Sequence, residues 1–187
     1  MARTTLYLVR HGEQEPDGEN LSPRGREQAR QLGHRLAGIP FDAIHCSSLP
    51  RAAQSAAIVA EHLPGVPAHP CEWAKDRTPI IETYPERYQA FFEQVPPEER
   101  DPGAVRLREA VTALSRTADH ARHPAADERT DLVVTHNFVI GWFVRHVLEA
   151  PDWRWLGLNQ ANGGLTVLQW ETGRPAALLS FNDVGHL

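Results

Sequence analysis

Three short apolar runs in this chain each stop abruptly at chemically active residues, and that repetition constrains the fold more than any other feature. Leu6-Tyr7-Leu8-Val9 breaks off at Arg10-His11-Gly12, Phe41-Asp42-Ala43-Ile44-His45-Cys46 at Ser47-Ser48, and Leu132-Val133-Val134-Thr135 at His136. Each run is short, apolar and rich in β-branched or aromatic residues, the pattern of a strand buried in a sheet. Gly12 lets the chain turn tightly where the first run ends. Helical stretches separate the runs, and strands alternating with helices build a largely parallel sheet covered on both faces. Ligands of such sheets bind outside the carboxyl ends of the strands. The three ends are therefore expected to converge on one small space.

The connections carry their own punctuation. Ser22 before Pro23 is a helix start with an N-cap and a proline in the first helical position, Gly38 is its stop, and Ala29, Leu32 and Leu36 form its apolar stripe. Ser48 and Pro50 open a second helix, expected to run to His62 with Ser48 as its cap, which places Arg51 in the first turn beside backbone N–H groups that attract anions. Residues 66–72 read as a short edge strand. From 73 to 126 the pattern turns helical with proline interruptions, with helices expected at 85–95 and 104–120, a segment suited either to covering the site or to plain packing. Residues 137–149 are apolar on nearly every side, the mark of a buried helix, and 164–170 with 176–181 read as a closing hairpin. At 187 residues and 41% hydrophobic content the chain can bury one good core. The expectation is one domain over 1–187, an α/β/α three-layer sandwich with a mostly parallel central sheet and a helical insertion at 73–126.

Composition removes several classes of function. A net charge of −5 gives no general attraction to nucleic acid or to an anionic membrane. Cys46 and Cys71 lack zinc or disulfide spacing and are expected to be reduced core residues, and no HExxH or other metal-ligand spacing occurs, so neither metal nor cofactor is expected. The N-terminus runs into the first strand without a signal-peptide pattern and no apolar run reaches membrane-spanning length, so the expected compartment is the cytoplasm. His34, His45, His62, His69, His120, His123, His146 and His186 belong to no motif and are expected at the surface or in ordinary packing.

What remains is the convergence of Arg10, Arg51, His11 and His136. Two guanidiniums and two imidazoles around one space repel each other unless the ligand brings negative charge, and a phosphate dianion is the obvious one.

At this point the sequence resembles the histidine phosphatase superfamily, also called phosphoglycerate-mutase-like. The matching elements are Arg10-His11-Gly12, Leu21-Ser22-x-x-Gly25-x-x-Gln28-Ala29, Ser47-Ser48-x-x-Arg51-Ala52-x-Gln54-Ser55-Ala56 and Val133-Val134-Thr135-His136, in the family's order and over most of the chain. The resemblance implies that His11 is a nucleophile that takes up a phosphoryl group, with Arg10, Arg51 and His136 holding the phosphoryl oxygens and Gly12 and Asn137 beside them. Physically, a neutral imidazole is a competent nucleophile near neutral pH, and fixed cations steady the equatorial oxygens.

The leaving alkoxide also needs a proton. In the family a Glu or Asp from the segment after the third strand commonly supplies it, and the candidates here are Glu72, Asp76 and Glu82. The stretch Lys75-Asp76-Arg77-Thr78-Pro79-Ile80 is similar to the mitochondrial Ser/Thr protein phosphatase branch, where a Glu stands at the position of Asp76, and this selects Asp76. Asn137 after His136, where the family usually has Gly, and Asn162 before Gly163-Gly164 match the same branch. The loop from Gly12 to Leu21 is short and lacks the Trp-Asn pair of sugar-phosphate mutases. The implied activity is hydrolysis of phosphate monoesters, on a phosphorylated small molecule or a phosphoprotein, through a phosphohistidine and without a metal. The alternatives are a phosphoglycerate or sugar-phosphate mutase and a phosphate-binding module that does not turn over.

Overall fold

The first apolar run becomes β1 (Arg3–Arg10), whose side chains alternate between two cores: Leu6 and Leu8 face one, Val9 the other, all at 0% exposure. Burying each such side chain is worth about 1.5 to 3 kcal/mol, which anchors the strand whose end carries Arg10. The computed structural model describes residues 2–115 and 128–187. In chain order the elements that follow are α1 (Pro23–Leu36), β2 (Ala43–Cys46), α2 (Pro50–Ala60), β3 (Ala68–Pro70), β4 (Thr78–Ile80), α3 (Gln89–Gln94), β5 (Arg100–Pro102), α4 (Val105–Leu114), β6 (Glu128–Thr135), α5 (Asn137–Val147), β7 (Leu165–Glu171) and β8 (Ala177–Asp183).

The main sheet has the order β3-β2-β6-β1-β7-β8. β3, β2, β6 and β1 run parallel, and β7 and β8 join antiparallel as the expected hairpin. Ala29, Leu32 and Leu36 of α1 and Ala56 and Val59 of α2 cover one face. Val139, Ile140, Phe143 and Val144 of α5, with Leu107, Val111 and Leu114 of α4, cover the other, so the three-layer architecture is present. Because β6 lies between β2 and β1, all three ends named from the sequence are neighbours. Arg10 is level with Thr135, and Cys46 with Val134, so residues 11, 47 and 136 emerge side by side.

Several local expectations are corrected. Ser22 does cap α1, accepting from Gly25 N–H with Pro23 in the first turn. The second helix, however, is not capped by Ser48: Leu49 is its N-cap and makes no side-chain cap bond, and the helix ends at Ala60 rather than His62. The hydroxyl that serves this end is that of Ser47, which accepts from Leu49 N–H at 3.2 Å. The helix expected at 85–95 is instead a 3₁₀ turn, Glu86–Tyr88, followed by α3, which stops at Gln94 because Val95 precedes Pro96. The stretch read as helical with proline interruptions also contains β4 and β5, paired as a small parallel sheet of their own. Of the helix expected at 104–120, the described part is α4, and residues 116–120, like His120 and His123, lie outside the described residues.

His45 is corrected too. It is not a surface or filler residue: its Nε2 lies 3.2 Å from Oδ2 of the fully buried Asp131, which also pairs with Arg129 at 2.6 Å.

Candidate active site

β1 ends by delivering Arg10 and His11 to the mouth of the sheet. The amide of His11 donates to the carbonyl of Thr135 at 3.0 Å, so the parallel ladder continues one residue beyond the strand and holds His11 against the end of β6. Its ring is 3% exposed. Nδ1 stands 2.7 Å from the Gly12 carbonyl, which can only accept, so the proton is on Nδ1 and the Nε2 lone pair is free. That lone pair meets Nε–H of Arg51 at 3.2 Å. Burial, against the pull of the Gly12 carbonyl and with help from the charges of Arg51 and Arg10, lowers the pKa of His11 to about 4. The imidazole is neutral near pH 7, as a nucleophile must be.

Arg51 enters from the first turn of α2 and makes three contacts with three different groups. Besides His11, Nη1 donates to the Gly18 carbonyl at 3.0 Å and Nη2 to Oδ2 of Asp76 at 2.9 Å. Arg10 reaches the same space, its Nη1 donating to the Gln160 carbonyl at 2.5 Å. His136 is the N-cap of α5 and 1% exposed. Its ring centroid is 5.1 Å from that of His11. Burial, then the charges of His11, Arg51 and Arg10, hold it far below the usual histidine range. Its Nε2 is 2.8 Å from the hydroxyl of Ser47. Its Nδ1 is buried without a hydrogen-bond partner among the described residues and lies 3.6 Å from Oδ2 of Asp76.

Asp76 sits between the 3₁₀ turn Glu72–Ala74 and β4, with its side chain 36% exposed. Desolvation of its carboxyl outweighs the charge of Arg51 and raises its pKa above the usual carboxylate value, which suits a group that must hold a proton until it is needed. Neither other candidate acid shares this position. Glu72 is turned to solvent, its side chain 70% exposed and paired with Lys75. Glu82 lines a different cleft of about 570 Å³, with Arg108, Asp152 and Trp153, where no histidine is present among the described residues. The smaller, half-open cavity of about 330 Å³ is the one with chemistry, lined by Arg10, His11, Gln14, Arg51, Asp76, Asn137, Phe138 and Asn159.

Of the residues expected here, the structure brings together Arg10, His11, Arg51, His136, Asp76 and Asn137, and corrects Gly12. The Gly12 amide already donates to Ser55 Oγ at 3.0 Å, so it is not a free donor for a ligand. Gly12 is required for a different reason: a Cβ there would stand 2.3 Å from the Gly25 carbonyl, where the backbones of β1's exit and α1 cross. Asn137 lines the cavity, yet its amide is also used within the protein, accepting from Gln160 N–H at 2.8 Å and donating to Asn159 at 3.2 Å. Asn162 completes this clamp by donating to the carbonyls of His11, 3.1 Å, and Gly12, 3.3 Å. Sequence reasoning gave no role to Ser47, Ser55 or Gln160. Ser47 and Ser55 stood inside a quoted motif, whereas the Gln160 contact is through backbone and leaves no trace in residue type. Among the described residues no group of acidic, histidine or cysteine side chains is placed to hold a metal ion.

The arrangement offers a neutral nitrogen nucleophile, two guanidiniums, an imidazole with an unused nitrogen and a carboxyl with a raised pKa. That set suits transfer of a phosphoryl group onto nitrogen. Comparisons with known proteins agree. A profile described as the histidine phosphatase superfamily (branch 1) matches residues 6–183. The chain is 32% identical over 194 residues to the mitochondrial serine/threonine-protein phosphatase Pgam5 of Caenorhabditis elegans, covering 100% of this chain and 65% of that protein. To the Homo sapiens PGAM5 it is 31% identical over 194 residues, covering 97% of this chain and 63% of that one. The chain thus spans a little under two thirds of the length of these relatives. Among solved structures, Bacillus stearothermophilus YhfR superimposes with a TM-score of 0.71 at 25% identity, covering 98% of each chain. A phosphoserine phosphatase of Entamoeba histolytica, bound to phosphoserine, has the same fold with a TM-score of 0.70 at 22% identity, covering 98% of this chain and 99% of that one.

Proposed function

The chain belongs to branch 1 of the histidine phosphatase superfamily, and from that membership and the site we propose that it hydrolyses phosphate monoesters through a phosphohistidine on His11. The observation that carries this reading is the Nε2 lone pair of a neutral His11, set between Arg51 and Arg10 at the mouth of a half-open cavity. In the first step Nε2 attacks phosphorus, the bond from phosphorus to the ester oxygen breaks, and Asp76 gives its proton to the departing alkoxide. In the second, water attacks the phosphohistidine, Asp76 takes a proton from that water, and His11 is regenerated as inorganic phosphate leaves. Arg10, Arg51 and Nδ1 of His136 hold the non-bridging oxygens in both steps. Each charge-assisted bond is worth on the order of 1.5 to 3 kcal/mol.

The cavity walls favour hydrolysis over a mutase. Beyond the two guanidiniums, His11 and Asp76, the lining is Gln14, Asn137, Phe138 and Asn159, amides and a phenyl ring with, among the described residues, no further cation to grip a carboxylate or a second phosphate. Such walls suit an uncharged alcohol, as on a phosphorylated serine or threonine side chain, and the Pgam5 relatives bear serine/threonine phosphatase names. A small phosphorylated metabolite with a neutral alcohol fits the same lining. Cytoplasmic residence is part of this proposal, although those relatives are named mitochondrial, and fractionation of cells making the tagged protein tests it.

The decisive experiment assays p-nitrophenyl phosphate, a phosphoserine peptide and 3-phosphoglycerate against the wild type and His11→Ala, with mass spectrometry of the acid-quenched wild type avoided in favour of alkaline quenching, where phosphohistidine survives. Phosphate release that vanishes in His11→Ala, with His11 found phosphorylated, supports the proposal. Isomerisation of phosphoglycerate in place of release supports the mutase, and no turnover of any ester supports a binding module.

A further inference from the structure

Ser47 is fully buried and its hydroxyl is placed between a backbone donor and an imidazole. Leu49 N–H donates to Oγ at 3.2 Å, and Nε2 of His136 lies 2.8 Å from the same oxygen. We propose that Ser47 is a positioning residue for His136: its O–H donates to Nε2 and so holds the neutral ring in the tautomer that carries its proton on Nδ1. Nδ1 is the nitrogen on the side of Asp76, which itself lines the cavity. The ring then presents a hydrogen-bond donor to a phosphoryl oxygen in every turnover, a consequence that rests on the phosphatase reading above.

Two independent features carry the assignment. The first is the accounting of hydrogens at Ser47. With Leu49 N–H already donating to it, Oγ has one hydrogen to give, and Nε2 is its one acceptor among the described residues. In the opposite tautomer Nε2–H would donate to Oγ, which would then accept twice while its own hydrogen stayed buried and unpaired, a costly arrangement. The second is at the other end of the ring. Nδ1 is buried without a hydrogen-bond partner among the described residues, and Oδ2 of Asp76 lies 3.6 Å from it. A lone pair on Nδ1 would face a carboxyl oxygen that already serves as the acceptor of Arg51 Nη2, and on substrate binding a phosphoryl oxygen, whereas an N–H is attracted to both. The geometry of a donor toward developing negative charge thus originates at the end of the neighbouring strand, in the residue that follows β2.

Nitrogen-15 NMR of histidine-labelled protein reads the tautomer directly, because protonated and unprotonated ring nitrogens resonate far apart, and His136→Ala identifies the signal. In the wild type Nδ1 is expected as the protonated nitrogen and Nε2 as the bare one; the reverse pattern, or a signal averaged over both tautomers, overturns the proposal. In Ser47→Ala the preference is expected to collapse toward an average, with kcat on an alkyl phosphate falling roughly tenfold to a hundredfold and KM changing little. If Ser47→Ala keeps the wild-type tautomer, the proposal is overturned whether or not the rate falls. Should that variant fail to fold, the wild-type spectrum alone decides. Because the spectrum needs no turnover, a wild type with Nδ1–H that hydrolyses no ester would refute the phosphatase reading and leave this assignment standing.

Discussion

Nε of Arg51 lies 3.2 Å from Nε2 of His11, so its guanidinium caps the lone pair that the proposed mechanism uses for attack. That mechanism requires both groups to change partner when an anion enters: the guanidinium turns to oxygen, and the nitrogen is released toward phosphorus. The planar fork matters here, since one side chain spans His11, the Gly18 carbonyl and Asp76 at once. Arg51→Lys keeps the charge but can satisfy only part of this set. Steady-state assays are expected to show kcat/KM for p-nitrophenyl phosphate lowered by tens to hundreds of fold, on the order of 2 to 3 kcal/mol of transition-state stabilisation.

In the proposed mechanism Asp76 supplies a proton only where the alcohol needs one. Asp76→Asn is therefore expected to slow an alkyl phosphate far more than p-nitrophenyl phosphate, whose phenolate leaves unaided. Its pKa is raised by burial, so the protonated form persists above the usual carboxylate range and alkyl ester hydrolysis falls as pH rises through that raised value. The asparagine variant should lose this alkaline limb. Equal losses on both esters would remove Asp76 from the mechanism.

His11 is expected to remain uncharged far into acid. Its pKa of about 4 lies below the unperturbed 6.5, so between those values the unfolded chain binds a proton that the folded protein refuses. Folding stability contributed by this group is thus full above about 6.5 and declines as pH falls toward 4. An NMR titration of the His11 ring should show a midpoint near 4 in the unliganded protein; an ordinary midpoint near 6.5 would contradict the buried, neutral nucleophile.

His45 works in the opposite direction. Burial alone would lower its pKa, but the hydrogen bonds and charges of Asp131 and Cys71 outweigh burial and raise it to about 9. The folded state binds this proton more tightly, so its stabilisation is complete below about 6.5 and is lost as pH rises through 9. Urea unfolding is expected to show a loss on the order of 2 to 3 kcal/mol across that interval. His45→Gln should be less stable at neutral pH and should flatten the loss.

The strands that deliver the site were legible because each is an apolar run with an abrupt polar end, and a buried parallel strand can hardly be written otherwise. Arg10, His11 and His136 followed from those ends, whereas Arg51, whose place in a helix's first turn alone reads as a surface position, followed from the convergence of the ends and the Ser47-Ser48-x-x-Arg51 motif. Asp76 was legible only through resemblance, since a lone acid in a proline-rich connection has no periodicity to mark it. The network that orients these groups was hidden for a different reason. Asn162 and Gln160 meet His11 and Arg10 across 151 and 150 residues, partly through backbone carbonyls that every residue type possesses. His45 was misjudged likewise, because its partner Asp131 is 86 positions away. Ser48 was taken for a cap where the hydroxyl in use is that of Ser47, one residue earlier and already committed to His136.

The acid reaches the cavity from a connection, pinned to the sheet where Thr135 Oγ1 donates to the Ala74 carbonyl at 2.7 Å, while every group around phosphorus comes from a strand end or the helix turn beside it. In the proposed mechanism, capture of the phosphoryl group and protonation of the alcohol released are therefore written in separate parts of the chain. Exchanging residues 72–80 between homologous enzymes is expected to retune the second without rebuilding the first, which makes this short stretch the natural place for descent, or an engineer, to adjust how the leaving group is helped away.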